Sequence, residues 1–159
     1  MLIALVSLGA IVAAGGLLWG FTGNGGGTTT TIDEQQALFF RAKMDELQAK
    51  IDGLLDEIRY ATTESKVRNA MSKINLLISK YGREFGFDTS ALRKEAERRS
   101  NNAARAWCVR KADAQVRRGD MWKAVSFLES GKEFCQSEAH RQSLDERVGK
   151  IISKQNDFA

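Results

Sequence analysis

The feature that most constrains the fold is a helical hydrophobic pattern that no proline interrupts. The 159 residues contain no proline, so this residue breaks no helix. From Asp33 onward, apolar residues recur at alternating steps of three and four, which places them on one face of a helix. No pair of segments has the composition and turn signals of a strand pair. The sequence predicts an all-α protein.

Two apolar stripes predict an αα-hairpin over residues 33–87. Asp33 is the expected N-cap of the first helix, and the pair Thr62-Thr63 separates it from the second. Two successive amphipathic helices with a short polar break bury their apolar faces most simply against each other. The alternative is a parallel coiled coil between copies over residues 33–60. The stripes are Ala37, Phe40, Met44, Leu47, Ile51, Leu54 and Ile58, then Val67, Met71, Ile74, Ile78, Tyr81 and Phe85.

Three further helices are predicted over residues 88–159. The cap residues of 88–90 (Asp-Thr-Ser) begin the third helix, and the turn at 118–120 (Arg-Gly-Asp) ends it. A fourth helix is expected over about 121–134, and a fifth after Ser137. The expected body is therefore a bundle of about five helices.

The N-terminal 22 residues predict a transmembrane anchor. Residues 1–21 carry no charged side chain, and at 1.5 Å per residue such a helix spans roughly 30 Å, the thickness of the hydrocarbon core. A cleaved signal sequence and a buried assembly helix are the alternatives. Small residues recur along this segment; they either favour close approach of two such helices, hence self-association, or reflect only that glycine and alanine are common in membrane helices. They are Gly9, Ala13, Gly16 and Gly20.

Residues 23–32 predict a flexible linker, because glycine and threonine dominate and no core-forming run occurs. The first basic residue is Arg41, so the distribution of charge near the anchor indicates little about its orientation. A short N-terminal tail without a basic residue crosses a membrane easily. We therefore expect a single-pass membrane protein with its body on the cytoplasmic side.

The segment 105–135 resembles one tetratricopeptide unit. It has small residues where two antiparallel helices would touch and a Gly-Asp turn between them. No second copy follows, so we expect one hairpin of this style. The resemblance implies a role in binding peptides or proteins. The residues that carry it are Ala112, Ala114, Gly119, Asp120, Ala124 and Gly131.

The only two cysteines fall in this hairpin. Cys108 lies early in its first helix and Cys135 just past its second, so an antiparallel pair brings the two regions together. Free buried thiols and a disulfide are both compatible with this placement.

Positive charge is concentrated in residues 91–136, which hold eleven basic and six acidic side chains. A solvated helix face, a surface for a partner protein, a phosphate-binding surface and contact with anionic lipid all agree with this pattern. Nucleic acid is a less favoured partner than protein. The candidate residues are Lys94, Arg98, Arg105, Arg110, Lys111, Arg117 and Arg118.

No combination of residues predicts catalysis, a metal site or a cofactor. His140 is the only histidine, and sequence-adjacent carboxylates point to different faces of a helix. The sequence predicts a membrane-anchored adaptor or scaffold that is not an enzyme and binds protein partners in an assembly. The alternatives are a self-oligomerising structural or conduit subunit, and a tether for nucleic acid or anionic lipid.

Overall fold

A computed structural model describes the backbone of residues 29–156 and the side chains of residues 33–155. This part of the chain forms five α-helices and contains no strand. The helices are α1 (Thr29–Arg59), α2 (Glu64–Phe85), α3 (Ser90–Arg117), α4 (Met121–Lys132) and α5 (Glu138–Asn156). The predicted all-α class and the predicted five helices of the body are confirmed.

The predicted anchor, residues 1–22, lies outside the described residues, as do its small residues Gly9, Ala13, Gly16 and Gly20. Across the helices that the structure describes, none combines the length and the apolar character needed to cross a bilayer.

The start of α1 differs from the prediction. The helix begins at Thr29, so residues 29–32 are helical although the sequence places them in the linker. Asp33 consequently lies inside α1 and does not cap it. Threonine has a lower helix propensity than alanine by only a fraction of a kcal/mol, which a continuing helix tolerates.

The chain divides into two units between Lys43 and Met44. In the first unit, Ala37 and Phe40 are exposed although the apolar stripe places them on a buried face. The prediction that the apolar stripe buries these two positions is therefore wrong.

Within the second unit, α1 and α2 are antiparallel. The Tyr81 hydroxyl donates to Glu46, and Lys73 pairs with Glu57. The later residue of α2 thus contacts the earlier residue of α1. Both helices contribute buried side chains to one hydrophobic cluster within the chain. The buried members of the predicted stripes include Leu47, Ile51, Ile58, Val67, Ile74 and Ile78, whereas the predicted member Leu54 is half-buried and its neighbour Leu55 is buried instead.

Helix α3 is antiparallel to α2 and parallel to α1. Arg93 reaches Ser79 on α2, whereas Arg99 contacts Asp52 and Trp107 contacts the residue Ala61 just past α1. The helices α1, α2 and α3 therefore surround one hydrophobic cluster.

Helices α3, α4 and α5 surround a second cluster, formed by Ala112, Ala124, Leu128 and Leu144. Between α3 and α4 the chain turns at Gly119, whose φ of 78° is left-handed and favours glycine. Asp120 then caps α4 by accepting a hydrogen bond from the backbone of Lys123 at 3.1 Å. Helix α3 thus contributes to both clusters.

Candidate functional site

A groove of about 480 Å³ lies between the end of α1 and the middle of α3. Arginine is its most frequent residue type, and no carboxylate is among the residues that line it. These residues are Leu55, Arg59, Tyr60, Arg99, Asn102, Ala103, Ala106 and Arg110. The volume is within the range of small binding sites in proteins.

The α3 side of the groove follows from helical spacing. Positions 99, 102, 103, 106 and 110 recur at intervals that place them along one face of a helix. Asn102 and Ala103 are half-buried and Ala106 is exposed, so small side chains keep the middle of the groove open. Arg99 and Arg110 stand at its two ends, about 16 Å apart along the helix axis.

The α1 side contributes an apolar floor and an aromatic rim. Leu55 is 2% exposed and closes the floor, whereas Tyr60 is 82% exposed. Tyr60 follows the last residue of α1, where the chain leaves the helix. A large aromatic ring at the open edge of an apolar floor provides a surface for a second molecule.

The three groove arginines have different partners. Arg99 donates to Asp52 at 2.6 Å with its side chain 32% exposed, and Arg59 donates to Asp56 at 2.9 Å with both side chains more than half exposed. Arg110 donates to the backbone carbonyl of Arg59 at 2.7 Å. Among the residues that the structure describes, Arg59 and Arg99 have ion-pair partners and Arg110 has none.

This last contact ties α3 to the C-terminal end of α1. Helix ends leave carbonyl groups without helical partners, and a basic side chain there also interacts favourably with the helix dipole. One turn earlier on α3, the Trp107 ring nitrogen donates to the carbonyl of Ala61 at 2.7 Å. Trp107 itself is 2% exposed. These two bonds fix the geometry of the groove at the Tyr60 end.

The predicted basic surface is not one continuous patch. Arg98 pairs with Glu95 at 2.6 Å, and this hydrogen bond lowers the pKa of the Glu95 carboxyl group. The Lys111 ammonium group lies 5.6 Å from the ring centre of Trp107. Of the seven predicted basic residues, only Arg110 lines the groove.

The remaining predicted basic residues are distributed along α3 and beyond its end. Lys94 and Arg117 are exposed, and Arg105 is half-buried. Arg118 borders a second depression of about 510 Å³ at the turn between α3 and α4. That depression also includes Asp120 and the 74% exposed Trp122. Because Asp120 offsets the charge of Arg118, this depression is less suited to an anion than the groove, which no carboxylate lines.

Sequence reasoning missed Arg59, Tyr60 and Arg99 as site residues. Arg59 and Tyr60 lie outside the basic segment 91–136, and only the folding of α1 beside α3 brings them to it. The available signal was the spacing of positions 99, 103, 106 and 110, which marks a face with charged ends and a small apolar middle.

Both cysteines are free thiols in the structure. Cys108 is buried between α3 and α4, where a Cβ atom built on Gly131 would lie 3.1 Å from its Cβ atom. The Cys135 thiol donates to the Gly131 carbonyl at 3.6 Å. The packing of α3 on α4 brings Cys108 close to Gly131, which lies four residues before Cys135.

The described residues define an all-helical protein with a surface groove that contains guanidinium groups. Over residues 33–155, no group of three or more His, Cys, Asp or Glu side chains converges as a metal site. No protein-family model, curated protein or solved structure matches the chain. The resemblance of residues 105–135 to a tetratricopeptide unit therefore remains a prediction.

Proposed function

We propose that the chain is a membrane-anchored helical adaptor that binds a partner protein through the groove between α1 and α3. One observation carries the proposal: the groove combines three arginines and an exposed tyrosine with an apolar floor. Arginine and tyrosine are enriched among the residues that dominate binding energy at protein interfaces. An apolar centre with a polar rim is also the usual arrangement of such interfaces.

The membrane part of the proposal rests on the uncharged segment at residues 1–21. An anchor would keep the groove near the membrane and raise the effective concentration of a partner held at the same surface. The proposed role requires no chemical reaction by the protein.

Blocking the groove tests this function. Ala106 is exposed on α3, so Ala106→Trp fills the groove without entering the hydrophobic core. Ala91→Trp places the same ring at an exposed position of the same helix outside the groove. The measurement is the stoichiometry of proteins that co-purify with the full chain after cross-linking in its native membrane and detergent extraction.

We expect a protein in stoichiometric amount with the wild type and with Ala91→Trp, and its loss with Ala106→Trp. If no protein co-purifies with the wild type, the adaptor function is wrong. Retention of the partner by Ala106→Trp would remove the groove from the interface.

The second candidate is a self-oligomerising subunit. Leu38 is 65% exposed and Phe39 is 50% exposed on α1, and exposed apolar runs often mark contact surfaces. A second copy would cover them. Leu38→Gln should then reduce the mass of the detergent-solubilised full chain measured by light scattering, whereas Ala49→Gln at an exposed position of α1 should not. An unchanged mass for Leu38→Gln would count against this candidate.

A further inference from the structure

We infer that the groove binds a short acidic and apolar segment of the partner, with a carboxylate at the Arg59–Arg110 end and apolar side chains over Ala103 and Ala106. This inference rests on the proposed function and specifies the chemistry of the partner.

The positive charge is greatest at the Tyr60 end. Arg110 donates to a neutral carbonyl group, and within residues 33–155 no carboxylate forms an ion pair with it. Arg59 pairs only with Asp56, and both side chains are more than half exposed. An exposed ion pair of this kind contributes about 0–1 kcal/mol, and a carboxylate from a partner can therefore replace Asp56.

The opposite end has less capacity for an added anion. Arg99 is held by Asp52 at 2.6 Å and is the least exposed of the ion-paired groove arginines. Between the two ends, Ala103 and Ala106 offer apolar surface above the buried Leu55, with Asn102 as the one polar side chain among the lining residues there. The groove therefore has excess positive charge at the Arg110 end, a largely apolar middle and, at the other end, an arginine already paired with Asp52, which fits a ligand with an acidic end followed by apolar side chains.

The dimensions suit a short extended segment. At about 3.3 Å per residue, roughly five extended residues span the 16 Å between the two ends of the groove. A guanidinium group has five N–H donors in a planar fork and binds a carboxylate through two parallel bonds. Arg59 and Arg110 each use one donor within the protein, so several donors on each remain for a ligand.

A nucleic acid fits the same groove less well. Affinity for a polyanion comes from many phosphate contacts along a continuous basic surface. Here three arginines are accompanied by Asp52 and Asp56, so only one positive charge remains in excess. The apolar floor also provides no partner for a charged backbone.

Peptide binding to the full chain in detergent micelles tests the inference. The first probe is a fluorescently labelled synthetic peptide with two glutamates followed by alternating leucine and alanine. The second replaces the glutamates with glutamines, and the third is a single-stranded oligothymidylate. Fluorescence anisotropy gives each dissociation constant. We expect the acidic peptide to bind more tightly than the other two probes.

Arg110→Gln should weaken binding of the acidic peptide by about tenfold or more, because a hydrogen bond to a charged group contributes about 1.5–3 kcal/mol. The matched control is Arg98→Gln, on the same helix and paired with Glu95 outside the groove. We expect its dissociation constant to be that of the wild type. Circular dichroism of each variant checks that the helices are intact.

Asp56→Asn provides a test that loss of folding cannot imitate. It removes the carboxylate that pairs with Arg59 and should tighten binding of the acidic peptide by about two- to fivefold. Binding of the glutamine peptide should not change.

Equal affinity for the acidic and glutamine peptides, or no gain with Asp56→Asn, would overturn the inference. Tighter binding of the oligothymidylate that is lost with Arg110→Gln would also overturn it and indicate a phosphate ligand. If Ala106→Trp abolishes co-purification of a partner but Arg110→Gln does not, the adaptor function stands and the proposed acidic segment is wrong. If no partner co-purifies, the adaptor function fails whatever the peptides show.

Discussion

At the scale of single residues, Trp107 is a core side chain that also hydrogen-bonds to the backbone beside the groove residue Tyr60. Its ring is buried, packs edge-on against Phe127 with ring centres 5.7 Å apart, and donates to the Ala61 carbonyl group beyond α1. Ala61 is itself only 7% exposed, so water cannot easily replace this donor. Trp107 therefore holds the chain next to Tyr60 in place.

Trp107→Phe should lower the free energy of unfolding by about 2 kcal/mol, because it leaves a buried carbonyl group without its donor and removes part of a packed ring. The measurement is urea unfolding of the full chain in detergent, followed by far-UV circular dichroism. Trp122→Phe is the matched control, and at 74% exposure it should cost less than about 0.5 kcal/mol. Equal effects of the two substitutions would contradict the role given to Trp107.

The two cysteines should differ in reactivity. Burial raises the pKa of the Cys108 thiol from 9.0 to about 12, and alkylating reagents react with the thiolate. Cys135 is half-buried. We expect iodoacetamide to label Cys135 in the folded protein and to label Cys108 only after unfolding, as measured by mass spectrometry of the digested chain. Resistance of both cysteines until a reductant is added would indicate a disulfide.

The raised pKa of the folded Cys108 thiol also predicts that the stability of the protein depends on pH. The folded Cys108 thiol keeps its proton to higher pH than the unfolded thiol. Its contribution to the free energy of unfolding is therefore complete below pH 9.0 and is lost as the pH rises towards about 12. As the pH rises from 9.0 to about 12, the free energy of unfolding of the wild type should therefore fall relative to that of Cys108→Ala. A difference that is constant with pH would show that Cys108 does not titrate there.

At the scale of helices, the contact between α3 and α4 depends on Gly131. A Cβ atom at this position would lie 3.1 Å from the Cβ atom of Cys108, which is attached directly to the backbone of α3. That neighbour cannot move away by rotating a side chain. Glycine therefore sets how closely these two helices pack.

Gly131→Ala should lower the free energy of unfolding by about 1 kcal/mol, because the cost of overpacking exceeds the gain in helix propensity. In Gly53→Ala the new methyl group meets nothing within 4 Å, and this control should stabilise α1 by about 0.5–1 kcal/mol. Urea unfolding of the two variants gives the comparison. If both substitutions stabilised the protein, the close contact at Gly131 would not limit the packing of α3 and α4.

The helix boundaries show what the sequence alone could predict. Local signals predicted most helix ends, because threonine caps α2 and Asp120 caps α4 through their own side chains. The predicted start of α1 at Asp33 was wrong, because no strong cap or break marks the run of threonines near residue 29 where the helix begins. The groove was not predicted, because Arg99 meets Asp52 only after two helices separated by α2 pack side by side. No local pattern encodes that register.

At the scale of the whole molecule, α3 couples the two hydrophobic clusters of the unit Met44–Ala159. Phe127 packs against both clusters, and Arg68 on α2 pairs at 2.6 Å with Glu133 at the end of α4. The clusters therefore share side chains and are crossed by an ion pair. We expect this unit to unfold in a single cooperative step.

Leu144→Ala tests this coupling, since Leu144 is 3% exposed in the second cluster whereas Trp107 reports on the first. In a background of Trp19→Phe and Trp122→Phe, fluorescence comes from Trp107 alone. We expect Leu144→Ala to lower the free energy of unfolding by about 2–5 kcal/mol, with coincident fluorescence and circular dichroism transitions. Ile152→Ala, at a 43% exposed position of the same helix, should change it far less. A Trp107 transition that Leu144→Ala leaves in place would show that α3 joins two clusters that unfold separately.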